Sequence, residues 1–483
     1  MSENLELRAS RTGSALRSAV TPGVVGVGVL LLYLILQTRF LSVSVFEPTT
    51  FGLAFNDMLL ALLDGRFDIR PEIIGFEGFI GDDGLVYSYF GILPALLRLP
   101  LAWLPGFAEL DLTGVSTTLA ITLAACLNIL SVRLVLSWHA PADRVADLTA
   151  IFATVILFSG PAFALLGRPA IYHEPVSWSF AFASLFLYRA LPLVFARKPA
   201  DMATLLVLAL AAAAALLTRV STGLGLYAAM TLLLLVLAIQ RARAGRTEVE
   251  ATPGAFAAAA AVLLLGAGLC AGVNYGRWGD PFLFADLPRQ ITALQDPDRM
   301  ARLMAYGAFN TERVWIGLSY YFLPLDWLFV GEGHPWPAMA RLLDKAEAPP
   351  GSLLLSEPIW ILLAAVGLAG LLRGRAAEGV QRGRALALAA GLSVPPVLML
   401  AAIYMAFRYR VEFMPLLLLL GFVGLATLSR RMARMNEETA RRTVRALAVI
   451  AVVQCLCGGM ALVIYQNVVV GLSTHDFYAA FAS

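Results

Sequence analysis

Long apolar runs separated by short polar turns dominate the chain. Many runs approach the length of about 20 residues that an α-helix needs to cross the hydrocarbon core of a bilayer. They are continuous and do not alternate residue by residue, so a transmembrane β-barrel is excluded. We therefore predict an all-α, polytopic transmembrane protein with about eleven spans. The predicted spans are about 24–45, 113–136, 147–167, 175–195, 203–218, 222–240, 255–273, 356–373, 385–406, 411–428 and 445–466.

Composition agrees with this pattern, because 59% of the 483 residues are hydrophobic, only 14% are charged, and the mean hydropathy is +0.76. A soluble domain could not cover its surface with so few charges. The net charge is only +3 and the basic residues cluster at loop ends, so we expect membrane lipids as partners and no nucleic acid. Cysteines within spans and scattered histidines predict neither a disulfide framework nor a metal site.

The charged loops sort into two sets along the chain. Short loops rich in arginine alternate with longer acidic loops, and loops rich in Lys and Arg remain cytoplasmic. We therefore predict that two long loops, 46–112 and 274–354, are extracytoplasmic parts of one membrane domain that covers 1–483. We expect this domain in the plasma membrane of a bacterium, its inner membrane, with an active site on the extracytoplasmic face.

The two long loops carry their own helical patterns. In the first loop, 52–63 has an amphipathic helical pattern and 81–84 has the composition of a tight turn. The segment 89–104 is apolar but too short to span, so we predict an interfacial helix on the outer leaflet. In the second loop, 300–308 and 336–343 are amphipathic.

Acidic side chains at the predicted outer mouth are candidates for proton transfer. Transfer of a sugar or phosphate group needs a carboxylate that takes a proton from the attacking group. Asp57 lies on the amphipathic helix, Glu77 precedes the tight turn that contains Asp83, and Glu174 lies beside His173 in a short turn between spans. Ionisable groups close to the bilayer are costly and indicate function. The alternative is that the loop acids are solvated and that Glu174 only favours the start of its helix.

Arginines also occur at tight turns on the predicted outer side, against the usual charge bias. They are Arg219, Arg408 and Arg410. A guanidinium remains charged and its fork of donors fits phosphate oxygens, so a lipid-linked phosphate would explain them. The alternative is that these side chains extend to the outer lipid headgroups.

In this layout the chain resembles the GT-C superfamily of polyprenyl-phosphate-sugar-dependent membrane glycosyltransferases, which includes protein O-mannosyltransferases and lipid A aminoarabinose transferases. The resemblance rests on acids in the first outer loop followed by an apolar segment, on an acid at the outer turn between the third and fourth spans, and on an Arg-Tyr pair before a proline. The matching residues are Phe55-Asn56-Asp57, Tyr87-Ser88-Tyr89-Phe90, Glu174, Arg408-Tyr409 and Pro415. The acidic pair that the family usually has directly after span one is absent.

The resemblance implies an inverting glycosyltransferase that moves a sugar from a polyprenyl-phosphate donor to a cell-envelope glycan, lipid or protein. It implies catalytic roles for Asp57 or Glu77 as base and for Glu174. Arg219, Arg408 and Arg410 would bind the donor phosphate. Substrate contacts are expected from Asn56, Asp83, His173 and Tyr409.

Two questions remain open from the sequence. No residues have the spacing of a metal site, although carboxylates beside a phosphate would suit a divalent metal. The alternative function is a transporter or flippase for a lipid-linked glycan. Such proteins need polar groups deep within spans and often carry inverted repeats, and neither pattern is evident in the sequence.

Overall fold

The computed structural model describes residues 23–244, 251–323, 342–347 and 352–467. Within these residues the chain is almost entirely helical, and the all-α prediction is confirmed. Seven of the described helices are long and apolar enough to cross a membrane. The helices are α1 Gly23–Gln37, α2 Ala54–Leu63, α3 Pro71–Ile74, α4 Leu93–Leu96, α5 Thr113–His139, α6 Val145–Phe158, α7 Gly160–Leu165, α8 His173–Val194, α9 Met202–Thr218, α10 Val220–Ala244, α11 Pro253–Trp278, α12 Ile291–Gln295, α13 Pro297–Tyr306, α14 Val314–Phe322, α15 Leu353–Ser356, α16 Pro358–Leu372, α17 Arg382–Leu392, α18 Val394–Ala401, α19 Met414–Met432 and α20 Glu437–Asn467.

Each predicted span coincides with a helix or a broken pair of helices. The span predicted at 147–167 is interrupted between α6 and α7, where Gly160 has a φ of +93° and Pro161 lies in the first turn of the new helix. Such a φ suits glycine because it has no Cβ, and proline suits the first turn of a helix. The span predicted at 24–45 ends earlier, at Gln37, because Arg39, Phe40 and Leu41 have φ angles of +50° to +64°, which an α-helix cannot contain.

The core of the bundle is formed by close helix pairs. Where α16 crosses α19, a Cβ on Gly367 or Gly424 would lie about 2 Å from a carbonyl oxygen of the facing helix. Small residues at such crossings let helix backbones approach closely in a membrane. In the most apolar part of the segment 407–432, 83% of the residues are buried, whereas in the most apolar part of α11 17% are buried. The region around α19 is therefore central, and α11 lies at the periphery.

The first long loop folds on itself against the bundle. Its helix α2 confirms the helical prediction for 52–63. The predicted tight turn joins β1 Phe79–Ile80 to β2 Val86–Tyr87, which pair antiparallel. The segment 89–104 is not one helix, because Pro94 and Pro100 each begin a new short turn. Its placement at a membrane surface stays a prediction.

The second long loop is described in part. It contains α12, α13 and α14, and α13 confirms an amphipathic helix near 300–308. Most of the stretch 336–343 lies outside the described residues. Strand β3 Lys345–Ala346 pairs in parallel with β4 Tyr404–Met405, which joins this loop to the segment before α19.

The two sets of charged turns lie at opposite ends of the helices. At one end, Arg144 contacts Glu437 at 2.6 Å and Arg430 contacts Glu378 at 2.9 Å. At the other end the first loop contacts the turn before α8 and the second long loop. This separation agrees with the predicted sorting of the loops, while the side on which each end lies stays a prediction.

Candidate active site

Charged and tyrosine side chains from several segments converge at the end of the bundle that carries the first loop. They come from the turn after α3, the turns before α8 and α10, the residue after β3, and the segment that runs from β4 to α19. We call this group the polar cluster: Glu77, Tyr172, Arg219, Glu347, Tyr404, Arg408, Tyr409 and Glu412.

Arg408 lies at the centre of the polar cluster. Its guanidinium contacts a carboxylate oxygen of Glu347 at 2.7 Å and lies over the rings of Tyr172, Tyr404 and Tyr409 at 4.7–5.6 Å. Cations over aromatic faces are stabilised by the ring quadrupole, most strongly where water is excluded. Arg408 is only 6% exposed, so its charge acts in a weakly screened environment.

The pairing of two short strands brings Glu347 to Arg408. Beside the β3–β4 pair, the backbone N–H of Glu347 donates to the carbonyl of Met405 at 2.8 Å. The carboxylate of Glu347 then accepts hydrogen bonds from the hydroxyl of Tyr404 at 2.9 Å and from the backbone N–H of Phe407 at 3.1 Å. This carboxylate is fully engaged by groups of the protein.

Arg219 forms the second cationic point of the polar cluster. Its Nε donates to a carboxylate oxygen of Glu412 at 2.6 Å, and its guanidinium lies 5.1 Å from the ring centroid of Tyr409. Tyr409 and Glu412 face the same side because residues 407–413 form a 3₁₀-helix, in which positions three apart are eclipsed. The side chain of Arg219 is 16% exposed, so it is more open than that of Arg408.

Glu77 is the carboxylate of the polar cluster that comes from the first loop. It is half-buried, accepts a hydrogen bond from Gln290 at 3.0 Å, and is hydrogen-bonded to Tyr172. Burial raises its pKa, while the bond to Tyr172 and the charge of Arg408 act in the opposite direction. A carboxylate with a raised pKa, within the field of an arginine, has the properties of a general base.

Glu174 lies outside the polar cluster, in a fully buried ion pair. Arg98 donates to one of its oxygens at 2.6 Å, and Ser116 donates to the other at 2.6 Å. Arg98 also donates to the side chain of Asn56. Asn56 in turn donates to backbone carbonyls of the first loop. These residues therefore hold the first loop against α5 and α8.

The other predicted site residues form hydrogen bonds with partners outside the polar cluster. Asp57 accepts hydrogen bonds from the backbone N–H and the Nε of Arg70 at 2.9 and 2.6 Å. Asp83 accepts the hydroxyl of Tyr87 at 2.6 Å at the hairpin tip. His173 is buried and shares a hydrogen bond of 2.9 Å with Tyr465.

Arg410 points away from Arg408. It donates to the carbonyl of Tyr320 at 3.2 Å and lies over the rings of Tyr320 and Phe407. The structure thus brings together Glu77, Arg219, Arg408 and Tyr409 out of the predicted set. The catalytic and binding roles of all these residues stay predictions.

Several polar residues that contribute to this end of the bundle were missed by sequence reasoning. Glu347 is 61 positions from Arg408 and Tyr404 precedes Arg408 by four positions, and neither gave a periodic signal. Glu412 follows Arg410 by two positions, and an acid beside arginines near a span is a signal for a buried ion pair. Arg98 gave a comparable signal, because a single arginine in an apolar segment needs a partner.

The described residues contain no group of three His, Cys, Asp or Glu side chains placed to hold a metal ion. In the polar cluster, Glu347 and Glu412 are paired with arginines, and Glu77 accepts hydrogen bonds from Gln290 and Tyr172. The described residues therefore do not fit a divalent metal.

No known family model and no curated protein matches the sequence. Among solved structures, the apo oligosaccharyltransferase of Archaeoglobus fulgidus matches with a TM-score of 0.50 at 13% identity, over 94% of this chain and 59% of that chain. The A. fulgidus oligosaccharyltransferase AglB in complex with an inhibitory peptide and a dolichol-phosphate gives a TM-score of 0.44 at 14% identity, over 90% of this chain and 56% of that chain. The chain thus spans less than two thirds of these proteins. The chain therefore shares its fold with this oligosaccharyltransferase, in agreement with the fold that the predicted resemblance implies.

Proposed function

We propose that this protein is an integral-membrane glycosyltransferase that transfers a sugar or sugar chain from a polyprenyl-phosphate donor to a cell-envelope acceptor. The observation that carries the proposal is the polar cluster, in which Glu77 shares one site with Arg408 and Arg219. The GT-C fold supports it as an analogy, because function belongs to sites and not to folds. The sorting of basic and acidic loops supports an active site on the extracytoplasmic face.

Arg219 and Arg408 would bind the donor phosphate. When the sugar leaves, negative charge develops on the phosphate oxygens, and preorganised cations stabilise that charge best where water is excluded. Both arginines are held in place by a glutamate and by the ring of Tyr409. This arrangement leaves little side-chain freedom to lose when the donor binds. Arg219, with the more exposed side chain, would make the first contact.

Glu77 would be the general base. In a single displacement, the acceptor hydroxyl oxygen forms a bond to the anomeric carbon while the bond from that carbon to the phosphate oxygen breaks. The hydroxyl proton moves to Glu77, and polyprenyl phosphate leaves with the electron pair. Such a displacement inverts the anomeric carbon. Asp57 and Glu174 are less suited, because Arg70 and Arg98 already bind their carboxylates.

The test uses cells that lack this protein and are complemented with the wild-type chain, Glu77→Gln or Glu72→Gln. Glu72 is an exposed acid in the same loop, so its variant controls for a change of charge there. Envelope glycans are profiled by mass spectrometry, and membrane amounts of each chain are compared. We expect glycan loss for Glu77→Gln alone, with the lipid-linked sugar accumulating on the outer leaflet.

Two other results would count against this proposal. Normal glycans in Glu77→Gln, at normal protein levels, would remove Glu77 as the base. The lipid-linked sugar could instead accumulate on the inner leaflet alone, where an added glycan-modifying reagent does not reach it. That result would favour the transporter or flippase.

A further inference from the structure

A second polar site lies inside the helix bundle, separate from the polar cluster. It is a cavity with a volume of about 40 Å³, which is enough for two or three water molecules. It is bounded by α1, α5, α16, α19 and the break between α6 and α7. Most of its walls are apolar, and the described lining side chains that carry hydrogen-bonding groups are those of Tyr33, Asn128, Ser159, Glu357 and Trp360. None of these residues belongs to the polar cluster.

Glu357 presents an unpartnered oxygen in this cavity. The residue is 1% exposed, and one carboxylate oxygen accepts a hydrogen bond from Gln454 at 3.1 Å. The other oxygen has no hydrogen-bond partner among the described residues. Gly160 adjoins that oxygen, and a Cβ there would lie 3.3 Å from it. The glycine at the helix break therefore leaves space beside the free oxygen.

Asn128 adds a second unpartnered acceptor to the lining. It is 3% exposed, and its amide nitrogen donates to Ser184 at 3.1 Å, which leaves its carbonyl oxygen without a partner among the described residues. Native proteins rarely leave buried acceptors unsatisfied. Two such oxygens in the lining of one cavity indicate an occupant that supplies positive charge or hydrogen-bond donors.

The charge around the cavity identifies the occupant. Among the described residues, no Lys, Arg or His lines it. The titratable neighbours are Tyr33, whose hydroxyl donates to the carbonyl of Leu157 at 3.0 Å, and Cys455 on α20. Neither supplies a positive charge. A carboxylate buried within a membrane domain requires a compensating cation or must take up a proton.

We propose that this cavity binds a single monovalent cation, H⁺ or Na⁺, with Glu357 as its charged ligand and Asn128 as a neutral oxygen ligand. A divalent ion is a poor fit, because the site offers one carboxylate. The sodium form would use oxygen ligands, which hard cations prefer. The proton form would carry a neutral carboxyl group that donates within the cavity. The site is independent of the proposed transferase reaction.

The experiment uses the full chain, purified and reconstituted in nanodiscs. The Tm is measured while NaCl replaces choline chloride at constant ionic strength, and infrared spectra are recorded for the C=O band of a protonated carboxyl group. The same measurements are made on Glu357→Gln and on Glu378→Gln, an exposed acid at the other end of the bundle. If Glu357→Gln does not fold, Glu357→Asp retains the charge and identifies the band by its shift.

The outcomes separate the two cations. A Tm that rises with Na⁺ along a single-site curve in the wild type and in Glu378→Gln, but not in Glu357→Gln, assigns sodium. A protonated carboxyl band that disappears or shifts only when Glu357 is changed, with a Tm independent of Na⁺, assigns the proton. If the wild type shows neither the band nor a Na⁺-dependent Tm, the proposal is overturned.

Discussion

The buried ion pair between Arg98 and Glu174 allows a sharp test of what Glu174 does. In Glu174→Gln, one carboxylate oxygen becomes an amide nitrogen and the negative charge is lost. Arg98 is 3% exposed and Glu174 is fully buried, so the guanidinium would remain in the interior without a counter-charge. Breaking such a pair costs about 3–5 kcal/mol. That is a large part of the roughly 5–15 kcal/mol by which folded proteins are stable.

The assay is unfolding of the purified chain by SDS titration in mixed micelles, followed by tryptophan fluorescence. The matched control is Glu437→Gln. The side chain of Glu437 is 63% exposed, so the loss of its ion pairs should leave the unfolding transition almost unchanged. The double variant Arg98→Met with Glu174→Leu removes both charges and should recover much of the stability. Asn56 would still lose its hydrogen bond from Arg98, and this loss should lower the free energy of unfolding by about 1–3 kcal/mol.

Either of two results would refute this reasoning. If Glu174→Gln is as stable as the wild type but abolishes glycan transfer, Glu174 acts in the reaction, as the sequence predicted. Equal stability of the single and double variants would likewise show that the ion pair does not hold the first loop.

Four further predictions rest on particular residues. A Cβ on Gly91 would lie 2.3 and 2.5 Å from carbonyl oxygens at the end of α9, so Gly91→Ala should cost at least about 1–3 kcal/mol in SDS unfolding. Gly268→Ala on α11 meets open space and should be neutral or stabilising by about 0.5–1 kcal/mol. Because burial raises the pKa of Glu77, transfer rates should rise with pH through a pKa above the usual range of glutamate, and Glu77→Gln should lose this limb of the pH–rate profile. The fully buried Arg313 donates to several backbone carbonyls at 2.7–3.5 Å. Arg313→Lys lacks the planar guanidinium that makes these bonds, so limited proteolysis near 306–323 should accelerate severalfold.

The spans could be predicted because membrane helices are specified locally. Each helix satisfies its own backbone hydrogen bonds, and its apolar length is visible in the sequence. The break between α6 and α7 was less visible, because one Gly-Pro pair can either kink a helix or divide it. The segment 89–104 was predicted as one helix from its apolar content, but two prolines divide it into short turns.

The candidate site could be predicted only in part, because its pairings are long-range. Arg408 and Arg219 were found from their unusual sidedness, which is a local signal. Their partners Glu347 and Glu412 depend on the β3–β4 pairing and on the 3₁₀ geometry before α19, neither of which has a periodic pattern. Glu174 was expected at the site because it is an acid in a turn, but its partner Arg98 is 76 positions earlier.

The contact between Glu77 and Gln290 has a consequence for biosynthesis. These residues are 213 positions apart, and Arg408 is translated later still. At about 5–20 residues per second, a ribosome needs on the order of ten seconds or more to pass from the first of these codons to the second. The amino-terminal loop must therefore wait without these partners until the later segments have been inserted. A nascent chain that stalls before that point would carry Glu77 without the arginine beside it, and the polar groups of the first loop would stay exposed.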